Sequence, residues 1–179
     1  MAHIGSGVEY GLHCLLWLVG SSEPASSRDL ADLQGVSASF VAKIFSKLEK
    51  AGIVSALEGL RGGYRLARPA DRITVLDVVD AIDGEKPLFD CQEIRGRCAA
   101  FGGRPPAWAT DGVCSIHGVM LRAERIMREE LGRTTVADLA GTVSRKAPAD
   151  FPVVVHGWLA DRLASRKAPR GPQARDGPD

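Results

Sequence analysis

From Val8 to Val19 the apolar residues Val8, Leu12, Leu15, Leu16 and Val19 recur at helical spacing, which predicts a first amphipathic helix. Residues 21–26 read as a loop. Ser27 is placed to cap a second helix, SRDLADLQ, with Leu30 and Leu33 facing inward; Gly35 can take the positive φ that ends it. Ser37 caps a third, SASFVAKIFSKLEKAG, in which Val41, Ile44, Phe45 and Leu48 share one face while Ser39, Lys43, Ser46 and Lys47 lie on others. Two short helices joined by a glycine-containing turn predict a helix-turn-helix, whose second helix enters the major groove of DNA.

The pattern then changes. In IVSALEGLRGGYRLARPADRIT, two strand-like runs flank a Gly-rich connection and Pro69 closes the second, which predicts a β-hairpin wing. Gly62 and Gly63 let its backbone turn tightly and approach DNA, while Arg61 and Arg65 can enter the minor groove, meet phosphates or stay solvated. Thr74 caps a further helix, TVLDVVDAIDGE, and the pattern breaks at Pro87. From Asp90 to Gly112 there is no apolar period; the stretch is rich in Gly and Pro and carries cysteines, as a functional loop would.

A long helix is expected over Ser115 to Leu131. Its seam of Ile116, Val119, Met120, Ala123, Met127 and Leu131, with Arg122, Glu124, Arg125 and Glu129 outside, suits packing on a partner helix. A weak helix, VADLAG, and a short apolar segment, Phe151 to Leu163, precede a polar tail expected to be disordered after residue 164. The fold class is thus mainly α with a small β wing. The expected organisation is a winged helix-turn-helix domain over 1–84, a cysteine-bearing loop over 85–114, a dimerisation helix with a following short helix over 115–140, and an extension over 141–179.

An apolar fraction of 45% in 179 residues suffices for a core. The net charge of +1 gives no global basic field, so any phosphate-facing surface must be local. It is found between residues 43 and 72, where Lys43, Lys47, Lys50, Arg61, Arg65, Arg68 and Arg72 outweigh Glu49, Glu58 and Asp71. No stretch has the length of a membrane span and the start lacks a leader pattern, so a soluble cytoplasmic protein without a membrane partner is expected. No nucleophile paired with a base, phosphate loop or carboxylate pair supports an enzyme. A partner-binding scaffold is the other class, and it would lack salt-sensitive specific DNA binding.

Four cysteines in such a chain argue for metal or redox chemistry over a disulfide framework. Cys91, Cys98 and Cys114 offer soft thiolate ligands suited to iron, and His can stand in for Cys. Glu9 and His13, four apart on the first helix, share a face; they can bring an oxygen and a nitrogen to one iron or form a surface ion pair. His117, three residues after Cys114, competes with His13 for the last ligand place. Cys14 lies within the apolar face and reads as a small buried residue. A structural zinc is an alternative, although the close-spaced cysteine pair of zinc sites is missing, and so is a metal-free switch working by thiol oxidation.

The segments VEYGLHCLLWL, VSASFVAKIFSKLEKAGIV, GLRGGYRLARP and ITVLDVVDAIDG, with Cys91 shortly after, resemble the Rrf-two family of bacterial winged-helix regulators over about Val8 to Leu139. The resemblance implies a homodimer whose long helices cross between subunits and set two recognition helices on a palindromic DNA operator. It implies major-groove contacts from Ser39, Phe40 and Lys43, with Lys47 a further candidate. It also implies an iron-sulfur cluster on Cys91, Cys98 and Cys114, and hence a transcription regulator sensing redox state, nitric oxide or cluster status. The spacing here, with six residues between the first two cysteines and fifteen between the last two, departs from the family's commonest pattern. The RsrR-type redox-sensing branch is more similar, in Glu9 and His13, in the run Cys91 to Arg95 and in the long loop. That likeness implies a 2Fe-2S cluster in preference to 4Fe-4S, with Glu9 and His13 supplied by the opposite subunit.

Overall fold

Capping chemistry sets most helix boundaries in the computed structural model, which describes residues 4–59 and 62–166. Helix α1 spans Ser6–Leu18, α2 Ser27–Gln34 and α3 Ala38–Lys50. The cap of α2 is Ser26, one residue earlier than expected, because its hydroxyl accepts from the Asp29 amide. Gly35 ends α2 at φ 64°, and Ser37 caps α3 by accepting from the Phe40 amide, both as the sequence implies. The antiparallel strands β1, Val54–Leu57, and β2, Gly63–Leu66, form the wing. Helix α4, Val75–Asp83, begins with a capping box made by Thr74 and Asp77.

Helix α1 is the centre of the core. Its Val8, Cys14, Leu15 and Leu18 are buried against Val41, Ile44, Phe45 and Leu48 of α3 and Val78 and Ile82 of α4. Gly11 makes this possible: a Cβ there would sit 2.6 Å from Cδ1 of Ile82 and 3.3 Å from Cγ2 of Ile44. At the start of α1 the Gly5 amide donates to the Asp83 carboxylate at 2.6 Å, which joins one end of α1 to the far end of α4.

The wing is stitched to the loop before α2. Ala25 and Tyr64 exchange backbone hydrogen bonds of 3.0 and 2.8 Å, and the Tyr64 ring packs on Phe45 of α3 with centroids 4.8 Å apart. Gly62 and Gly63 allow close approach to the protein's own backbone. A Cβ on Gly63 would lie 2.7 Å from the carbonyl carbon of Ala25, and one on Gly62 would lie 2.5 Å from the Leu57 oxygen.

After α4, residues 85–114 form turns and one short helix, α5, Ala107–Thr110. Helix α6, Ser115–Arg133, then runs across α4. Arg128 grips Asp80 of α4 with two hydrogen bonds of 3.0 and 2.8 Å, and Glu124 accepts from the Leu88 amide at 3.0 Å. This corrects the expected seam. Glu124 faces inward, Met127 and Leu131 lie beside Leu76 and Val79 of α4, and no residue of α6 is fully buried. The uncovered stripe comprises Ile116, Val119 and Ile126, at 62, 52 and 59% exposure.

Helix α7, Val136–Lys146, opens with a capping box of Thr135 and Asp138 and buries Val136. The apolar segment expected after it is a full helix, α8, Phe151–Ser165, with Pro in its first turn. Its Val155, Leu159 and Leu163 are buried, and Phe151 meets Trp17 of α1 edge to face at 5.9 Å. The helix runs past residue 164; the disorder expected for 167–179 falls outside the described residues.

Gly63→Ala should destabilise the domain by about 1–3 kcal/mol, the usual cost of an overpacked contact, because the atoms it meets are backbone. Thermal unfolding measures it. An unchanged midpoint would mean that the wing is free to drift from Ala25.

Candidate functional site

Two faces carry the residues singled out by sequence. The first is the surface of α3 and the wing, expected from the sequence to face DNA. Ser39 and Lys43 are exposed on α3, with the Ser39 hydroxyl 3.3 Å from that of Ser37. Phe40 is half-buried, its ring edge-on to Tyr10 of α1 at 5.5 Å, so it links the recognition helix to α1. Lys47 donates to the Ile82 carbonyl at 2.5 Å and thereby satisfies one of the last carbonyls of α4. Its ammonium is engaged within the fold.

On the wing, Arg65 is exposed and reaches across to its strand partner Ser55, whose hydroxyl accepts from Nε at 3.4 Å. Arg61 lies outside the described residues. Arg68, counted in the basic cluster, pairs with Asp77 of α4 at 3.0 Å. Lys43, Lys47, Lys50, Arg65 and Arg72 are exposed on this face, whereas the charge of Arg68 is matched by Asp77.

The second face is the cysteine loop. Arg95 organises it. Its guanidinium donates to both Glu93 oxygens at 2.6 and 2.8 Å, and to the carbonyls of Thr110, Asp111 and Gly112 at 3.2, 3.1 and 3.0 Å. One side chain thus ties the strand of loop beginning at Cys91 to the strand ending at Cys114. Glu93 holds the guanidinium above its ordinary range, with Cys114 and Cys91 adding to the effect, so both sulfurs lie in its field. Arg95 in turn holds the Glu93 carboxyl below its ordinary range, with a smaller contribution from His117.

Cys91 and Cys114 are half-buried, and Cys114 immediately precedes α6. His117, one turn into α6, stacks at a tilt on Phe89 with centroids 6.2 Å apart. Cys98 stands apart, exposed between two short 3-10 turns. Glu9 and His13 are both exposed on α1. Beside Glu9 runs an open groove of about 460 Å³ walled by Ile4, Val8, Leu12, Val75, Val79 and Leu131.

Within one chain, then, Arg95 ties the segment after Cys91 to the segment before Cys114, and neither Glu9 nor His13 joins a metal-binding group with those cysteines. Among the described residues no three His, Cys, Asp or Glu side chains form a metal-binding group. Cys14 is buried, and burial pushes its thiol up to about 12, so it stays a neutral apolar residue as its position predicts. Sequence reasoning passed over Arg95 as an organiser; its signal was a single cation inside a run otherwise matched for its cysteine.

The Rrf2 family profile, described as iron-dependent transcriptional regulator, matches residues 4–142. Protein rrf2 of Nitratidesulfovibrio vulgaris is 34% identical over 132 residues, covering 73% of this chain and 81% of that protein. The HTH-type transcriptional regulator IscR of Xenorhabdus nematophila is 31% identical over 136 residues, covering 72% and 79%. Two solved structures share the fold. T. potens IscR superposes with a TM-score of 0.61 at 22% identity, covering 82% of this chain and 92% of that one. CymR, the global cysteine regulator of B. subtilis, gives 0.61 at 24%, covering 79% and 98%.

These relatives are regulators and not enzymes. No described helix is long and apolar enough to cross a membrane. The chain belongs to the Rrf2 family of winged-helix, DNA-binding transcription regulators.

Proposed function

We propose that this regulator acts as a homodimer on palindromic operators and that an iron-sulfur cluster, 2Fe-2S in type, sets its DNA affinity according to redox state. The observation that carries this reading is the division of donors. Arg95 ties the segment after Cys91 to the segment before Cys114 and α6, while Glu9 and His13 are exposed on α1, with Glu9 at the edge of an open groove. A site built from both needs two protomers.

The surface of α6 supports that pairing. Ile116, Val119, Ala123 and Ile126 follow three-four spacing, the seam of a coiled-coil contact, and water covers them in the single chain. Crossing α6 helices carry each loop away from its own α1 and towards the partner's groove beside Glu9. The donor set fits the group: thiolates of Cys91 and Cys114 would suit iron, the Glu9 carboxylate and His13 imidazole would complete a set of four with weaker, exchangeable bonds, and Cys98 is a further thiolate candidate for one of these places. A cluster supplies a reversible one-electron couple at this place.

The protein's own part is positional. Arg95 holds the loop ends together, and α1 bears Glu9 and His13 on one side and Tyr10, packed on Phe40, on the same helical turn. A tug on α1 therefore reaches the first turn of the recognition helix, and two heads spaced about one turn of DNA are sensitive to such shifts. A second reading is favoured by the free, exposed Cys98: oxidation of loop thiols without metal.

Protein purified anaerobically should carry iron and acid-labile sulfide with a visible absorption band. Cys91→Ser and Cys114→Ser should each abolish it, whereas Glu9→Ala and His13→Ala should shift the band with most iron retained. Colourless, iron-free protein whose operator binding follows thiol oxidation would establish the second reading instead, and stoichiometric zinc would end both. Ile126→Glu should convert dimer to monomer in sedimentation and weaken operator binding by about 10²-fold or more, the loss expected when bivalency goes.

A further inference from the structure

Helix α8 lies beyond the residues matched by the family profile, yet its C-terminal end meets two parts of the reading head at one point. That point is Asp29 in the first turn of α2. At 2% exposure it is the sole buried charged residue among those described. Arg162 Nε donates to its Oδ1 at 3.0 Å, while Arg166 Nη2 and the Ser26 hydroxyl donate to its Oδ2 at 2.5 and 2.7 Å. Burial alone would raise the Asp29 carboxyl, but the Ser26 bond and the two guanidinium groups outweigh it and hold the group below its ordinary value. Arg162 is itself fixed, paired with Asp32 and lying over the Trp158 ring at 4.8 Å.

Arg166 reaches further. Its Nη1 donates to the Gly62 carbonyl in the wing at 3.4 Å, so one planar guanidinium spans α2, α8 and the wing. A hairpin of four-residue strands has little rigidity of its own, and its place depends on outside tethers. Ala25 holds Tyr64, the second residue of β2, and Arg166 holds Gly62, at the end of the turn just before β2.

We propose that α8 is a clasp of the DNA-reading head, in which Arg166, anchored on Asp29, is a positioning residue that holds the wing at Gly62 in register with α2 and α3. The guanidinium acts through the wing and makes no DNA contact itself. This rests on DNA binding alone and is independent of any cluster.

The test uses full-length protein and a duplex selected from a random library by the unaltered protein. Affinity, its salt dependence and hydroxyl-radical footprints are measured for Arg166→Gln, Arg166→Lys, Asp29→Asn and the double variant, with thermal unfolding alongside. Arg166→Gln and Asp29→Asn should each weaken specific binding about tenfold. The double variant should be no weaker than either single, since both break one link. The salt slope should stay constant while minor-groove protection beside the wing fades. Arg166→Lys, which keeps the ion pair but loses the fork, should restore only part of the affinity.

The proposal is overturned if Arg166→Gln lowers the slope by about 0.9 while Asp29→Asn leaves affinity intact, because Arg166 is then a phosphate contact. It is equally overturned if neither variant changes affinity, which leaves α8 as packing. Should Asp29→Asn not fold, Arg166→Gln decides alone: lost affinity at constant slope with a weakened wing footprint supports the clasp, and a shallower slope refutes it.

Discussion

The absent side chain at Gly11 governs how this fold is put together. It lets α1 press against both α3 and α4 so closely that even one carbon would collide with Ile82. Because α1 touches α2, α3, α4, α7 and α8, the recognition helix, the platform for α6 and the C-terminal helices are all referred to one rod. Movements of α1 are consequently shared by its neighbours, since a core packed this densely has no slack to absorb them.

The winged domain was legible because each of its signals is local. Ser37, Gly35 and Thr74 cap or end helices through their own neighbours, and the four apolar residues of α3 announce its buried face by spacing alone. Helix α8 was harder to see. Its apolar run Phe151 to Val155 hides the helical period, and Pro152, which reads as a breaker, sits in the first turn where it is tolerated. The seam of α6 misled for another reason. The helix has two apolar sides, one for α4 and one uncovered, and periodicity cannot say which belongs to which until Arg128 is seen to grip Asp80.

The candidate site was legible as a list of possible ligands and illegible in its assembly. Cysteines at wide spacing name possible ligands, but what ties the segment after Cys91 to the segment before Cys114 is Arg95 bonding to three carbonyls, and carbonyls leave no trace in a sequence. Charge counting cannot see partners either. Lys47 and Arg68 count alike by composition, and the fold gives one a carbonyl at the end of α4 and the other the Asp77 carboxylate. Long cations serve capping and packing as readily as nucleic acid.

The bidentate hold of Arg128 on Asp80 also makes α6 a lever. From this fulcrum the arm back to Cys114 is fourteen residues, about 21 Å at 1.5 Å per residue, and the arm forward to Thr134 is about 9 Å. The short arm ends where the Thr134 carbonyl accepts from the amide of Val75, the first residue of α4. Asp80 and Val75 both belong to α4, so α6 is pinned to one helix at two places and a displacement of the loop acts on α4 as a torque.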